Sequence, residues 1–175
     1  MPHLFTKIEI AAPPSIVRER FLQFEQIPTY SPNGFFKWVG PAEKNAPLEP
    51  GTRMHNVLEG MVIDPIILVS SDQFQLIERG EQRLIVEKEN SEKCFRWRGT
   101  WHEIFTGEHS FRFEQSENLK GGTTFIHEEV FSGLLGSLMG EGPLAKMLGF
   151  REKTKRGFEG FNGDFKTWVE GSGGK

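Results

Sequence analysis

The residue types best suited to chemistry in this chain are His109, His127 and Glu129, because such side chains move protons, bind metal ions or hydrogen-bond ligands. All three lie within residues 106–132, where two alternating apolar segments flank a Gly-Gly turn at 121–122 and predict a β-hairpin. This turn sets a register in which His109 lies opposite Glu129. Because side chains alternate along a strand, all three are predicted to share one face.

Phenylalanines occupy the rest of this face. The same register places Phe113 opposite Phe125 and Phe111 opposite His127, and Phe131 follows on the same side. The opposite face carries charged residues. A face this rich in phenylalanine is predicted to be buried, so the two histidines and the glutamate point into an apolar interior.

Four interpretations of this polar group stay open. As a structural pair, His109 and Glu129 bond each other and fix the register, since buried polar groups are normally hydrogen-bonded. As a ligand anchor, His109 or His127 hydrogen-bonds a carbonyl or hydroxyl group in an apolar pocket. As catalytic residues, Glu129 orients His109, which moves a proton during a cyclisation, dehydration or isomerisation. As metal ligands, the three side chains match the donor set of an iron or zinc site. Their spacing along the chain is only a weak signature of such a site, and no metal or cofactor is predicted.

Further elements must surround this hairpin. Residues 4–10 alternate as a half-buried strand, and helical spacing of apolar residues predicts an amphipathic helix over 14–25. Breaks rich in proline, glycine or charge separate candidate strands over 34–40, 51–59, 62–70, 74–79, 83–90, 94–102, 106–116 and 122–132. Their short connections favour an antiparallel meander, because parallel pairs need long crossovers.

One long helix is predicted after Gly142-Pro143, with Gly149 as the point where it would break. Its apolar face is formed by residues spaced three or four apart, namely Phe150, Thr154, Phe158, Phe161, Phe165 and Trp168. Its interior also holds three glycines, at 157, 160 and 163, each of which costs about 1 kcal/mol relative to alanine. The glycines indicate either close packing against the sheet or room for a ligand.

Three other residues have two interpretations each. Trp97 and Trp101 share one face of strand 94–102, where they form either core or the wall of a cavity. Met147 lies between the last strand and the long helix, where it either fills a gap or forms a pliable cavity entrance.

Composition narrows the classes of function. The chain has 175 residues, a net charge of −3, and 16 Phe against one Tyr, so its aromatic surface suits a dry core or an apolar cavity. No basic patch typical of a nucleic-acid binder is present, and no apolar run is long enough for stable membrane insertion. The single Cys94 and the absence of a signal-peptide pattern favour a cytoplasmic protein. We expect one domain over 1–170 and a flexible tail over 171–175.

Several motifs together resemble those of the SRPBCC superfamily, the helix-grip group that contains START lipid carriers, birch-pollen-allergen-like proteins and polyketide cyclase/dehydrase families. The motifs are CFRWRG at 94–99, F-x-G-E-H-x-F at 105–111, GTTF at 122–125, E-x-F-x-G at 129–133 and G-F-x-x-x-N at 157–162. The resemblance implies an α+β helix-grip fold, in which a curved antiparallel sheet wraps a long C-terminal helix, with a short N-terminal helix pair and an apolar cavity between sheet and helix. Residues 60–82 form a longer stretch than the resemblance predicts.

Three hypotheses of function follow. The first is a carrier of a small hydrophobic molecule such as a lipid or polyketide; the second is a cofactor-independent polyketide cyclase or dehydratase that uses His109 and Glu129; the third is an interaction module like the chaperone ATPase activators. The predicted partner is a small hydrophobic molecule rather than nucleic acid, and the protein is expected to be a monomer or homodimer. The predicted ligand-contacting residues are Trp97, Trp101, His109, Phe111, Phe113, Phe125, His127, Glu129, Phe131, Met147, Phe150, Phe158, Phe161 and Phe165.

Overall fold

The computed structural model describes residues 1–59, 61–63, 65–67, 92–101, 105–133, 139–140, 142–143, 147 and 149–171. The described strands are β1 (His3–Ile10), β2 (Phe36–Pro41), β3 (Met54–Leu58), β4 (Met61–Ile63), β5 (Ile66–Ile67), β6 (Cys94–Trp101), β7 (Phe105–Gln115) and β8 (Thr123–Ser132). The described helices are α1 (Pro14–Phe21), a 3-10 turn (Phe24–Gln26), α2 (Ile27–Tyr30) and α3 (Phe150–Gly171).

The predicted hairpin lies at the centre of a five-stranded antiparallel sheet with the order β1-β8-β7-β6-β5. Consecutive strands β6, β7 and β8 form the expected antiparallel meander, and β1 closes the sheet beside β8. Strands β2, β3 and β4 form a second, three-stranded sheet. The two sheets approach where the chain passes from β4 to β5.

The candidate strand 62–70 is wrong as a single element. Its first part, β4, pairs with β3, whereas β5 pairs with β6 in the other sheet. Pro65 lies between the two strands, and the backbone amide of Met54 donates to its carbonyl oxygen at 2.7 Å. Proline has no amide hydrogen to donate to a strand ladder, which explains a division at this point. Candidate strands 74–79 and 83–90, and most of the longer stretch 60–82, lie outside the described residues.

Strand β1 and the first helix follow the predicted patterns. Leu4, Thr6 and Ile10 are buried on one face of β1, as the alternation predicts. The helix predicted over 14–25 is shorter, because α1 ends at Phe21 and a 3-10 turn and α2 follow it. Phe21 is buried against the sheet, with its ring centroid 4.5 Å from that of Phe111.

Helix α3 lies across the inner face of the five-stranded sheet. It begins directly after Gly149, whose φ of 66° is in the left-handed region that glycine tolerates, so the predicted break lies at the start of the helix. Its apolar stripe is buried, with Phe158, Phe161 and Phe165 each at most 1% exposed. The helix ends at Gly171, within the predicted tail, and residues 172–175 are outside the described part.

Close packing explains one of the three helix glycines. A Cβ atom at Gly157 would lie 2.6 Å from Cδ2 of Phe35, so only glycine allows this ring to contact the helix. At Gly160 and Gly163, by contrast, no atom of the described residues lies within 4 Å of such a Cβ. Packing against the described residues therefore accounts for Gly157 and leaves the other two glycines without that explanation.

Candidate functional site

The predicted register of the hairpin is confirmed. His109 pairs with Glu129, Phe111 with His127 and Phe113 with Phe125. A turn at residues 116–122, with Gly121 at a φ of 76°, sets this register.

The side chains of His109 and Glu129 contact each other in the interior. The distance from His109 Nε2 to Glu129 Oε2 is 3.0 Å, and the two side chains are 2% and 9% exposed. The distance is that of an ion pair, but Nε2 makes no hydrogen bond that also meets the angular criteria with any described residue. The carboxylate therefore lies beside the histidine ring without being aligned on its N–H direction.

A glycine pair forms the floor next to this contact. Gly99 of β6 pairs with Gly107 of β7, on the same inward face as His109. Because neither residue has a side chain, the inner face of the sheet has a depression there. A Cβ at position 107 would overlap Oε1 of Glu129, so the carboxylate lies over the Gly107 end of the depression. Trp97 and His109, which pair across β6 and β7, border the depression on one side.

His127 belongs to a separate hydrogen-bond network that joins the helix to two strands. The hydroxyl of Thr6 in β1 donates to the His127 carbonyl oxygen at 3.3 Å, and Asn162 Nδ2 of α3 donates to Thr6 Oγ1 at 3.0 Å. Asn162 Oδ1 then accepts from His127 Nδ1 at 3.2 Å. All three side chains are buried.

Burial lowers the pKa of His127 well below its ordinary value, and the nearby His109 ring lowers it further, against a smaller opposite effect of the Asn162 hydrogen bond. His127 is therefore neutral in the folded protein at neutral pH. Its ring stacks on Phe158 with 3.8 Å between centroids.

Several buried polar atoms of asparagine, tryptophan and histidine side chains have no hydrogen-bond partner among the described residues, and we call them the open polar atoms. They are Asn56 Nδ2 and Oδ1, Trp97 Nε1, His109 Nε2 and His127 Nε2. Each of these four residues as a whole is at most 1% exposed. Buried polar groups in folded proteins are normally bonded to protein, water or ligand, so each open polar atom calls for an explanation.

The second sheet packs against the part of the first sheet that carries Trp97 and His109. Phe36 of β2 packs edge-on against both Trp97 and His109, at centroid distances of 6.1 and 5.8 Å. Asn56 lies on the buried face of the adjacent strand β3, opposite Val39 of β2. The second sheet thus covers the part of the first sheet that carries the tryptophan and the histidine.

The phenylalanines of the sheet and those of α3 are in direct contact over the middle of the sheet. Phe125 and Phe165 have centroids 5.1 Å apart, and Phe111, Phe113 and Phe161 are at most 1% exposed within the same core. These rings fill the space between the sheet and the middle of α3. Phe131 lies in a second cluster with Leu4, Met139 and Phe158.

Two predicted ligand-contacting residues lie away from this interior, and the side chain of a third is outside the described part. Met147 and Phe150 are 76% and 47% exposed, because the helix begins at Phe150, before its first buried turn. The backbone of Trp101 lies in β6, and its side chain is outside the described part.

The sequence does not predict Thr6 and Asn56 as site residues, and Gly107 and Asn162 enter the prediction only as part of the motifs that carry the resemblance. Their signal is nevertheless visible in the pattern. Thr6 is polar on the apolar face of β1, and Asn162 is polar on the phenylalanine stripe of α3. A polar residue on an apolar face indicates a specific buried contact.

Metal ligation does not match the geometry. Within the described part of the chain, no three His, Cys, Asp or Glu side chains are close enough together to hold a metal ion. Among the described residues, no helix is both long enough and apolar enough to span a membrane.

A concavity of about 600 Å3 lies on the other face of the same strands, lined by Met1, Arg98, Thr106, Glu108, Val130 and Ser132. Glu108 there is paired with both Arg96 and Arg98, at 3.3 and 2.8 Å. The carboxylate of Glu108 in this outer concavity already has two arginine partners, whereas the open polar atoms lie in the interior. We therefore place the candidate site inside.

Comparison with known proteins shows the fold. No family model matches the chain, and no curated protein matches its sequence. Among solved structures, a START superfamily protein from Mycobacterium smegmatis is 14% identical with a TM-score of 0.57, covering 95% of this chain and 98% of that one. The Zhui aromatase/cyclase from Streptomyces is 12% identical with a TM-score of 0.58, covering 96% and 93%. Ara h 8.0201 is 14% identical with a TM-score of 0.58, covering 95% and 96%. The predicted helix-grip α+β fold is thereby confirmed.

Proposed function

We propose that this helix-grip protein binds a small hydrophobic molecule in its interior, with a polar group of the ligand lying over the Gly99–Gly107 pair. Trp97 and His109 border this depression, and the second sheet covers it. The ligand would enter the region beside the packed phenylalanines, because those rings already fill the space under the middle of α3.

The observation that carries this proposal is the set of open polar atoms in an apolar interior. A buried donor or acceptor without a partner costs about 1–3 kcal/mol. Among the described residues, no group bonds Trp97 Nε1 or the two amide atoms of Asn56, and the two residues are 1% and 0% exposed. A few polar atoms in a mainly apolar and aromatic enclosure are typical of small-molecule sites, where they orient the ligand.

Native mass spectrometry of protein purified from its own host, followed by solvent extraction, tests this proposal. We expect a non-covalent small molecule on the wild-type protein. The Trp97→Phe variant keeps an aromatic ring but removes the indole donor, so its bound fraction should fall about three- to tenfold. Trp168→Phe is the matched control, because Trp168 stacks on Tyr30, away from the glycine pair, and should leave the bound fraction unchanged.

Two results would contradict the proposal. One is wild-type protein that carries no small molecule and takes up none of a panel of apolar probes. The other is an equal loss of ligand in both tryptophan variants, which would indicate a general effect on folding rather than a contact at Trp97.

A second candidate function is acid–base catalysis of the cyclase or dehydratase type. The observation that favours it is the buried contact of 3.0 Å between His109 and Glu129 beside the glycine floor. A carboxylate in contact with a histidine inside an apolar site resembles part of the arrangement of a general base, which must lie within reach of the proton it abstracts.

Exchange of the α-protons of a ketone probe in deuterated water distinguishes the two candidates. An enzyme would remove an α-proton through His109 to form the enol and return a deuteron, faster than buffer alone. His109→Ala should then abolish the exchange while the ligand stays bound. A carrier would show no exchange above buffer, and the same variant would change only its affinity.

A further inference from the structure

Charge is distributed unevenly over the outer face of the five-stranded sheet. Towards the end of β7, Nε of Arg112 lies 3.3 Å from a carboxylate oxygen of Glu114, and its Nη1 lies 3.7 Å from one of Glu128. One arginine there faces two carboxylates. Towards the start of β7 the ratio is reversed, because two arginines share the carboxylate of Glu108. Among the described residues, these three side chains give the region of the outer concavity a net positive charge.

Arg98 keeps one side of its guanidinium group open within this concavity. Its Nε and Nη2 atoms both donate to the same carboxylate oxygen of Glu108, Oε2, at 3.3 and 2.8 Å. Glu108 therefore occupies the side of the planar group that these two nitrogens form, and it leaves the end formed by Nη1 and Nη2. This end can be reached from solvent, because 54% of the side chain is exposed. Two guanidinium nitrogens match the two oxygens of a carboxylate, so Arg98 can bind a second one.

The remaining lining of the outer concavity combines hydroxyl groups with apolar surface. Thr106 of β7 and Ser132 of β8 pair across the two strands, so their side chains project to the same face. Val130 and Met1 add apolar surface to this lining. The volume of about 600 Å3 lies within the range of small-molecule sites, which is about 300–1,000 Å3. A cation beside hydroxyl and apolar groups is suited to a small anion that has an apolar part.

We propose that the outer concavity is a second binding site, which takes a small organic anion composed of one carboxylate and a short apolar tail. The carboxylate binds the Nη1–Nη2 end of Arg98, and the tail lies against Val130 and Met1. Glu108 has two opposite effects, because it holds the guanidinium group in place and also reduces the local positive charge. This site lies on the opposite face of the sheet from the interior site, so it does not depend on the proposed interior function.

NMR titration of the nitrogen-15-labelled wild-type protein tests this site with three probes of equal chain length: hexanoate, hexan-1-ol and hexylammonium. Hexanoate should shift the backbone amide signals of Thr106, Glu108 and Ser132 and the Nε signal of Arg98. The alcohol lacks the charge and the amine has the opposite charge, so their dissociation constants at this site should be at least about threefold higher. Added salt should weaken the binding of hexanoate, because the ion pair is partly exposed.

Three variants test the contact with Arg98. Arg98→Gln removes the guanidinium group and should weaken hexanoate binding about three- to tenfold. Arg112→Gln is the matched control on the same face of the sheet, because its guanidinium group already faces two carboxylates, and it should leave hexanoate binding unchanged. Glu108→Gln keeps an acceptor for Arg98 but removes the negative charge, so it should strengthen hexanoate binding about two- to threefold.

Three results would overturn the outer site. The first is equal binding of hexanoate and hexan-1-ol at these residues, which would remove the selection for an anion. The second is hexanoate that shifts only the signals of Trp97 and His109, which would support binding in the interior and contradict a site on the outer face. The third is an equal loss in Arg98→Gln and Arg112→Gln, which would show that the overall charge attracts the anion rather than the end of one guanidinium group.

Discussion

The carboxylate of Glu129 lies directly over the Cα of Gly107, in the space that any side chain at position 107 would occupy. This relationship connects the glycine floor to the His109–Glu129 contact, since the same carboxylate reaches both. The position of Glu129 therefore depends on the absence of a side chain on the neighbouring strand.

Gly107→Ala should displace Glu129 from His109 without unfolding the protein. The added methyl group overlaps the end of a flexible side chain rather than backbone, so the free energy of unfolding should change by less than about 1 kcal/mol. The ring signals of His109 in nitrogen-15 NMR should move as the carboxylate leaves. Gly160→Ala, on the exposed face of α3, is the control that leaves them in place. Unchanged His109 signals in Gly107→Ala would show that the carboxylate does not need this space.

Two helix glycines should respond oppositely to alanine. At Gly157 the new Cβ would lie 2.6 Å from the Phe35 ring, so we expect a loss of about 1–3 kcal/mol from overpacking. At Gly160 no described atom lies within 4 Å, so the better helix propensity of alanine should add up to about 1 kcal/mol. Chemical denaturation of both variants measures the difference. Equal effects would contradict the assignment of Gly157 to close packing.

The stability of the protein should fall on mild acidification because of His127. Burial and the facing His109 ring of β7 hold the pKa of His127 well below the ordinary value. The α3 and β1 side chains in its hydrogen-bond network, Asn162 and Thr6, are uncharged. The unfolded chain regains the ordinary pKa of about 6.5 and then binds a proton that the folded chain does not. Protons therefore favour unfolding below about pH 6.5, with a slope that approaches about 1.4 kcal/mol per pH unit.

Denaturation at a series of pH values checks this dependence. His127→Gln can still donate to Asn162 but does not titrate, so its stability should be nearly flat between about pH 7 and pH 5. Two carboxylates behave differently: hydrogen bonds hold the pKa values of Glu9 and Glu170 below their ordinary range. Their contribution is present above the ordinary carboxylate pKa and is lost only as the pH falls below about 4.5. A wild-type slope that persists in His127→Gln would exclude His127 as its source.

Local signals explain which parts of the structure the sequence predicts. The Gly-Gly turn at 121–122 determines the pairing of β7 with β8, because the pairing of two strands joined by a short turn is set by the turn itself. Alternation then places His109, His127 and Glu129 on the buried face. Both inferences need only neighbouring residues, and both are confirmed.

The contacts between distant segments could not be predicted in this way. Asn162 meets His127 only because α3 crosses β8 at that residue, and Asn56 reaches the interior only because the second sheet folds over the first. The exposed position of Phe150 has a similar cause, since periodicity places it on the apolar stripe but does not show where the sheet ends beneath the helix. These relations depend on how elements pack together, which spacing along the chain does not encode.

Asn162 should be the residue on which the tautomer of His127 depends. Asn162→Leu has a similar volume but removes the acceptor for His127 Nδ1 and the donor to Thr6, so we expect a loss of about 2 kcal/mol from two buried hydrogen bonds. Without that acceptor, His127 should show a mixture of tautomers in nitrogen-15 NMR.

Asn118→Leu is the matched control, because its amide bonds Glu9 at an exposed position and should change the stability by less than about 0.5 kcal/mol. A mixed tautomer puts a hydrogen on Nε2 in part of the molecules, which converts the acceptor into a donor. His127 should keep its single Nδ1–H tautomer in Asn118→Leu. A single Nδ1–H tautomer that persists in Asn162→Leu would show that another group fixes His127.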